Sequence, residues 1–157
     1  MKVLTLWQPW ATLVALGVKV HETRSWSTKY RGTLAIHAAK RPVDDDGRKL
    51  LLKLRRIGAI PVSYEMPYGA IVALADLTQV VDITKAVDGW RAQDQSIYAV
   101  ASDTADYLCG DFGPNRFAWR LSTVRRCSVP HKGAQGLRDL PADVEAQVLA
   151  QIRGESR

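Results

Sequence analysis

Segments of two hydrophobic periods follow one another along this chain in irregular order, and that order limits its architecture more than any other feature. Lys2 to Leu6 is a short run rich in β-formers. Pro9, with its pre-set φ, opens a helix on which Trp10, Leu13 and Val14 share a face, and Gly17 closes it. GTLAIHAAK alternates as a strand does, with Leu34 and Ile36 on one side and Ala35 and His37 on the other. After Pro42, Asp44, Asp45 and Asp46 sit where a helix dipole favours negative charge; Leu50, Leu51, Leu54 and Ile57 trace one apolar stripe, and Gly58 stops it. Gly69 to Ala75 reads as a fully buried strand, 82 to 98 as loop with one helical turn, and RFAWRLS as a strand with Phe117, Trp119 and Leu121 on one face. Pro141 opens a last helix on which Val144, Val148, Leu149 and Ile152 align. A doubly wound sheet needs regular βαβ alternation, which is missing, so the order predicts an α+β fold with a mixed, strongly curved sheet and flanking helices.

The 157 residues suit one domain, 1–157, with no repeat, low-complexity tract or linker. Apolar residues make up 46% and charged residues 24%, enough for a core without staples. Cys109 and Cys127 form no metal or disulfide pattern, and no metal or other cofactor is expected. No apolar run approaches a membrane span, and the start MKVLTLWQPW lacks the unbroken apolar stretch of a signal peptide. The expected location is therefore the cytoplasm, with no membrane partner and no obligate protein partner. The net charge of +6 is unevenly placed: residues 1 to 57 hold 12 Lys/Arg against 4 Asp/Glu, and the remaining 100 hold 10 against 12. Such a one-sided field suits a phosphate-bearing partner, although Arg48 to Arg56 reads better as a solvated helix face.

GVKVHETR places Gly17, Lys19, Glu22 and Arg24 at the spacing of GxKxxExR, the signature of the ASCH domain. LTLWQPWATLVALG before it, SWSTKYRGTLAIHAAK after it, and YGAIVALADL, GPNRFAWRL and VPHKGAQGL farther on also resemble ASCH-domain segments, those after the signature being of bacterial type. The resemblance covers about residues 2 to 140. It implies a PUA-like β-barrel with flanking helices, a cleft beside the signature and a role connected with RNA: binding in some relatives, ribonuclease activity in others, and removal of an acyl group from modified cytidine in one small branch. One fold hosts several chemistries, so the resemblance defines the fold more closely than the activity.

In the signature, Lys19 suits a phosphate clamp or, deprotonated by burial, a base; Arg24 suits a phosphate or a stacked base; Glu22 suits a base edge, a ribose hydroxyl, or general-base work on water. In an extended segment Glu22 and Arg24 point the same way, so an ion pair between them is the competing reading. Trp7, Trp10, Trp26 and Tyr30 surround the signature. Trp10 lies on the apolar stripe and reads as core, whereas Trp26 near Lys29 is the better platform for an unpaired base. Gln8 reads a base edge or caps the turn, and His37, followed by Lys40, lines the cleft or serves a structural bond. The deacylating relatives carry a threonine where this chain has Glu22, and Thr23 is one residue out of register, which turns its side chain to the opposite face.

Three functions remain in competition on these residues. The leading one is a binding module for RNA, single-stranded nucleic acid or a nucleotide-sized ligand, with Lys19, Arg24, Lys29 and Lys40 on phosphate, Trp26 on a base, and Gln8 and His37 lining the site. The alternative is a metal-independent hydrolase, a ribonuclease or an acylated-cytidine amidohydrolase, centred on Lys19 and Glu22. The third is a protein-interaction module, which the basic first third of the chain argues against.

Overall fold

The computed structural model describes residues 1–84, 91–92 and 104–155. The elements are β1 (Lys2–Leu6), α1 (Trp10–Ala15), β2 (His21–Arg24), β3 (Gly32–Ala38), α2 (Asp45–Arg56), β4 (Ala70–Thr84), β5 (Arg91–Ala92), α3 (Ala105–Leu108), β6 (Arg116–Pro130), β7 (Leu137–Asp139) and α4 (Ala142–Glu155). The strands form one mixed sheet in the order β2-β6-β4-β3-β1-β7, with β5 paired to β4. Only β1 and β3 run parallel; the other ladders are antiparallel.

Alternation in β3 serves a sheet covered on both faces. Leu34, Ile36 and Ala38 join Leu4, Leu6 and α1's Ala11 and Val14 in one core cluster. Ala35 joins Val3, Ile71, Leu74 and α4's Val148 in another. The expected stripe of the last helix is used in full, since Val144, Leu149 and Ile152 pack beside the fully buried Val148. In β6, Trp119 and Leu121 enter the first cluster while Ala118 faces a third with Val81, Ile83 and Phe112. Asp44 caps α2 by accepting from Gly47 N at 2.9 Å, and Asp45 and Asp46 in its first turn oppose Lys53, Arg55 and Arg56 in its last.

Three expectations need correction. The sheet does not close into a barrel: β2 and β7, only four and three residues long, are its two ends and each pairs only inward, whereas closure needs a continuous staggered ladder. The helical stripe on α2 stops short of Ile57, which caps the helix and is exposed; Leu54 alone among the expected four is fully buried. Residues 82–84 are not loop, because β4 runs on to Thr84 and Ile83 pairs with Ala92; 85–90 and 93–98, the rest of that expected loop, lie outside the described residues. β4 and β6 pair along nearly their whole lengths with three register shifts, and such bulges bend a strand and raise its twist. No helix among the described residues is long and apolar enough to cross a membrane.

Candidate functional site

Closure of α1 aims the signature lysine inward. At Gly17 (φ 73°) the chain reverses, and the N–H groups of Val18 and Lys19 both reach the carbonyl of Leu13, at 3.0 and 3.1 Å. Lys19 is thereby 1% exposed, and its ammonium has three oxygen partners: His21 O at 2.8 Å, Cys109 O at 2.9 Å and Glu22 Oε2 at 3.2 Å. An ammonium has three protons, so this one is saturated by the protein. On the other side of the carboxylate, Glu22 Oε1 lies 3.0 Å from Arg24 Nε, and Arg24 Nη2 donates to Thr5 O at 3.1 Å. Lys19, Glu22 and Arg24 are thus a row of two cations around one anion, with a formal excess of one positive charge carried toward the half-buried Arg24.

α3 and the turn after it are clipped to β2 at three places. The carboxylate of Asp106 accepts from Val20 N and His21 N at 2.6 and 2.9 Å and from His21 Nδ1 at 2.7 Å; Cys109 O accepts from Lys19; and Thr23 Oγ1 accepts from Asp111 N at 2.9 Å. Burial alone would raise the Asp106 carboxyl, but the His21 ring and the two N–H groups outweigh it and hold it below the usual carboxylate range. Burial pushes the Cys109 thiol up to about 11, so it is protonated at neutral pH.

Two cavities meet beside this row. The first, about 560 Å³, is lined by Lys19, Glu22, Arg24 and Thr23 of the signature segment, by Trp7 and Trp10, and by the α3 turn with Cys109, Asp111 and Arg116. The second, about 830 Å³, lies against His37, Lys40 and the turn from Pro130 to Gly136. Thr5, Trp7 and Arg24 belong to both and form their common wall. Trp7 is 52% exposed and carries the Arg41 guanidinium over its ring at 3.8 Å. In the second cavity His37 Nε2 donates to His131 O at 2.9 Å, which leaves Nδ1 as the bare acceptor. Burial lowers the pKa of His37 and keeps the ring neutral. Its Nδ1 and Thr5 Oγ1 have no partner in the protein and are covered by Gly133, where a Cβ would stand 2.3 Å from that nitrogen and 2.9 Å from that oxygen.

The residues singled out from sequence separate into three groups. Lys19, Glu22 and Arg24 line the first cavity; Arg24, His37 and Lys40 line the second; Gln8, Trp26 and Lys29 line neither. Gln8 is buried, its Nε2 donating to Pro67 O and its Oε1 accepting from Thr12 N, so both ends of the amide serve the fold. Trp26 packs edge-on against the buried Trp119, with ring centroids 4.7 Å apart, and belongs to the main core cluster rather than to a rim. Trp10, expected in the core, is half-buried and lines the first cavity. The ion pair between Glu22 and Arg24 exists, but inside the cavity wall. Sequence reasoning passed over Trp7, Arg116 and Lys132; the glycines flanking HKGAQG were the signal for a turn that carries Lys132. Among the described residues no group of three His, Cys, Asp or Glu side chains gathers as a metal site requires.

With this geometry in view, comparison with known proteins identifies the lineage. Residues 4–130 match the family model described as ASCH domain, and the chain belongs to that family. Activating signal cointegrator 1 of Homo sapiens and that of Mus musculus are each 36% identical over 77 residues, 47% of this chain but only 13% of those proteins. The crystal structure of ASCH from Zymomonas mobilis superposes with a TM-score of 0.52 at 13% identity, covering 95% of this chain and 93% of that one. A tyrosine-to-phenylalanine variant of the same protein matches equally, with a TM-score of 0.52 and 13% identity over 95% and 96% of the two chains. At that identity the likeness concerns the fold alone.

Proposed function

We propose that this ASCH-domain chain binds RNA or another single-stranded nucleic acid, or a nucleotide-sized piece of it, at the cavities beside the signature. The observation that carries the reading is the common wall of the two cavities. There an exposed indole, Trp7, stands with Arg24, the end of a charge row in which two cations flank one carboxylate. Aromatic faces and guanidinium groups in a basic groove are what an unpaired base and its phosphate require. Lys40 and Lys132 add two cations that form no ion pair among the described residues. Lys19, with its three protons committed, acts by holding Glu22 in place rather than by gripping phosphate.

The hydrolytic reading lacks comparable support. Lys19 is saturated, the Thr23 hydroxyl is engaged with Asp111 N, and the Cys109 thiol is protonated. The test titrates the protein into labelled single-stranded RNA and, in parallel, incubates it with that RNA and with acylated cytidine in EDTA. The reading expects saturable binding of intact strand, weakened by Trp7→Ala by about 1–3 kcal/mol, the worth of one stacked base. Product without detectable binding of strand would replace it by the hydrolase.

A further inference from the structure

The second cavity differs from the first in a way that names how a strand would lie. Arg24, Lys40 and Lys132 line it together with the neutral His37, and its lining contains no carboxylate. The first cavity, by contrast, sets Glu22 and Asp111 against its cations, and Asp111 holds Arg116 at 2.7 Å. An anion is thus favoured in the second cavity and a neutral, hydrogen-bonding group such as a base in the first. Each volume lies in the range that accommodates one small ligand, and 830 Å³ is far more than a phosphate group alone would fill. Arg24, at the junction, spends one Nη2 proton on Thr5 O and turns Nε to Glu22; of the five N–H groups of its guanidinium, those on Nη1 have no protein partner among the described residues.

We infer that the two cavities are successive subsites for one dinucleotide step of a single strand: a nucleoside in the first, the linking phosphate on Arg24 beside Trp7, and the next nucleotide with its phosphate in the second, near Lys40 and Lys132. This rests on the nucleic-acid reading above and adds a unit of recognition to it. Joining two subsites makes the second contact intramolecular, so affinity rises in a step when the ligand becomes long enough to reach both.

The experiment measures competition against a labelled hexamer by nucleoside monophosphates, a nucleoside triphosphate, a 5′-phosphorylated dinucleotide and a trinucleotide, all of one base. The expected pattern is a dinucleotide at least about tenfold tighter than the monophosphate and a trinucleotide within about threefold of the dinucleotide. In Lys40→Gln/Lys132→Gln, two exposed positions, the ratio of dinucleotide to monophosphate affinity should fall to within about twofold of one. A smooth rise with length, an undiminished ratio in the double variant, or a triphosphate as tight as the dinucleotide would each overturn the two-subsite arrangement while leaving nucleic-acid binding in place. Failure of the hexamer itself to bind would remove both.

Discussion

Lys19 and Glu22 form a buried ion pair, Nζ to Oε2 at 3.2 Å, in which the cation is saturated before any ligand arrives because His21 O and Cys109 O accept its other two protons. Removing one partner of such a pair strands the other charge. Lys19→Ala should therefore cost about 3 kcal/mol of stability, the low end of the range for a broken buried pair, since Arg24 still faces Glu22. Lys19→Arg keeps the charge but forces a larger, forked head into a closed cradle and should cost about 1–3 kcal/mol. Urea unfolding checks both; a Lys19→Arg protein as stable as wild type would show that the cradle is open to a ligand after all.

Trp26 is assigned here to packing, and its substitution should show that. The Trp26 and Trp119 rings meet edge-on, a geometry worth about 0.5–1.5 kcal/mol beyond the area buried. Trp26→Ala should lose about 2–4 kcal/mol of stability while the folded protein retains its affinity for single strands, the converse of Trp7→Ala. Thermal unfolding and strand titration of the two variants side by side decide between them.

The reversal between these tryptophans shows where the sequence was legible. Periodicity gave the two faces of β3 and β6, the turn at Gly17 and the stripe of α4, because each depends on neighbours within a few residues. The spacing of Lys19, Glu22 and Arg24 likewise placed three side chains together, although not that the lysine would be saturated, since Cys109 O comes from 90 positions away. Trp26 was misplaced because its partner, Trp119, reaches it only through the β2 and β6 ladder. The second cavity was invisible for the same reason: His37 and His131 are 94 positions apart and meet through the fold.

Acid should destabilise the protein in two stages with identifiable owners. His37 is buried neutral and its folded pKa lies below the ordinary value, so the unfolded chain takes up protons first and stability begins to fall as pH drops through about 6.5. Asp106 is also depressed in the folded state; its contribution is complete above the unfolded carboxylate value and is lost as pH falls below about 4. Unfolding free energies measured from pH 8 to 3 should lose the upper stage in His37→Asn and the lower one in Asp106→Asn. Identical slopes in wild type and both variants would refute the assignments.

Gly133 tests the closeness of the turn to the sheet. A Cβ there would stand 2.2 Å from the His37 ring, so Gly133→Ala must push the turn away from β3. The expected result is a loss of about 1–3 kcal/mol of stability, as for other overpacked sites, together with weaker strand binding as the wall bearing Lys132 moves. Urea unfolding and strand titration measure the two effects.

The central claim is that strand binding runs over Arg24 and the cations of the second cavity. Its most direct test is the salt dependence of affinity for a single-stranded oligonucleotide, in wild type and in Arg24→Gln. With Arg24, Lys40 and Lys132 as the three phosphate contacts, log affinity should fall against log salt with a slope near −2 in wild type, and shallower by about 0.7 in the variant, one contact having gone. Affinity that does not change with salt, an equal slope in Arg24→Gln, or no binding at low salt would contradict the claim.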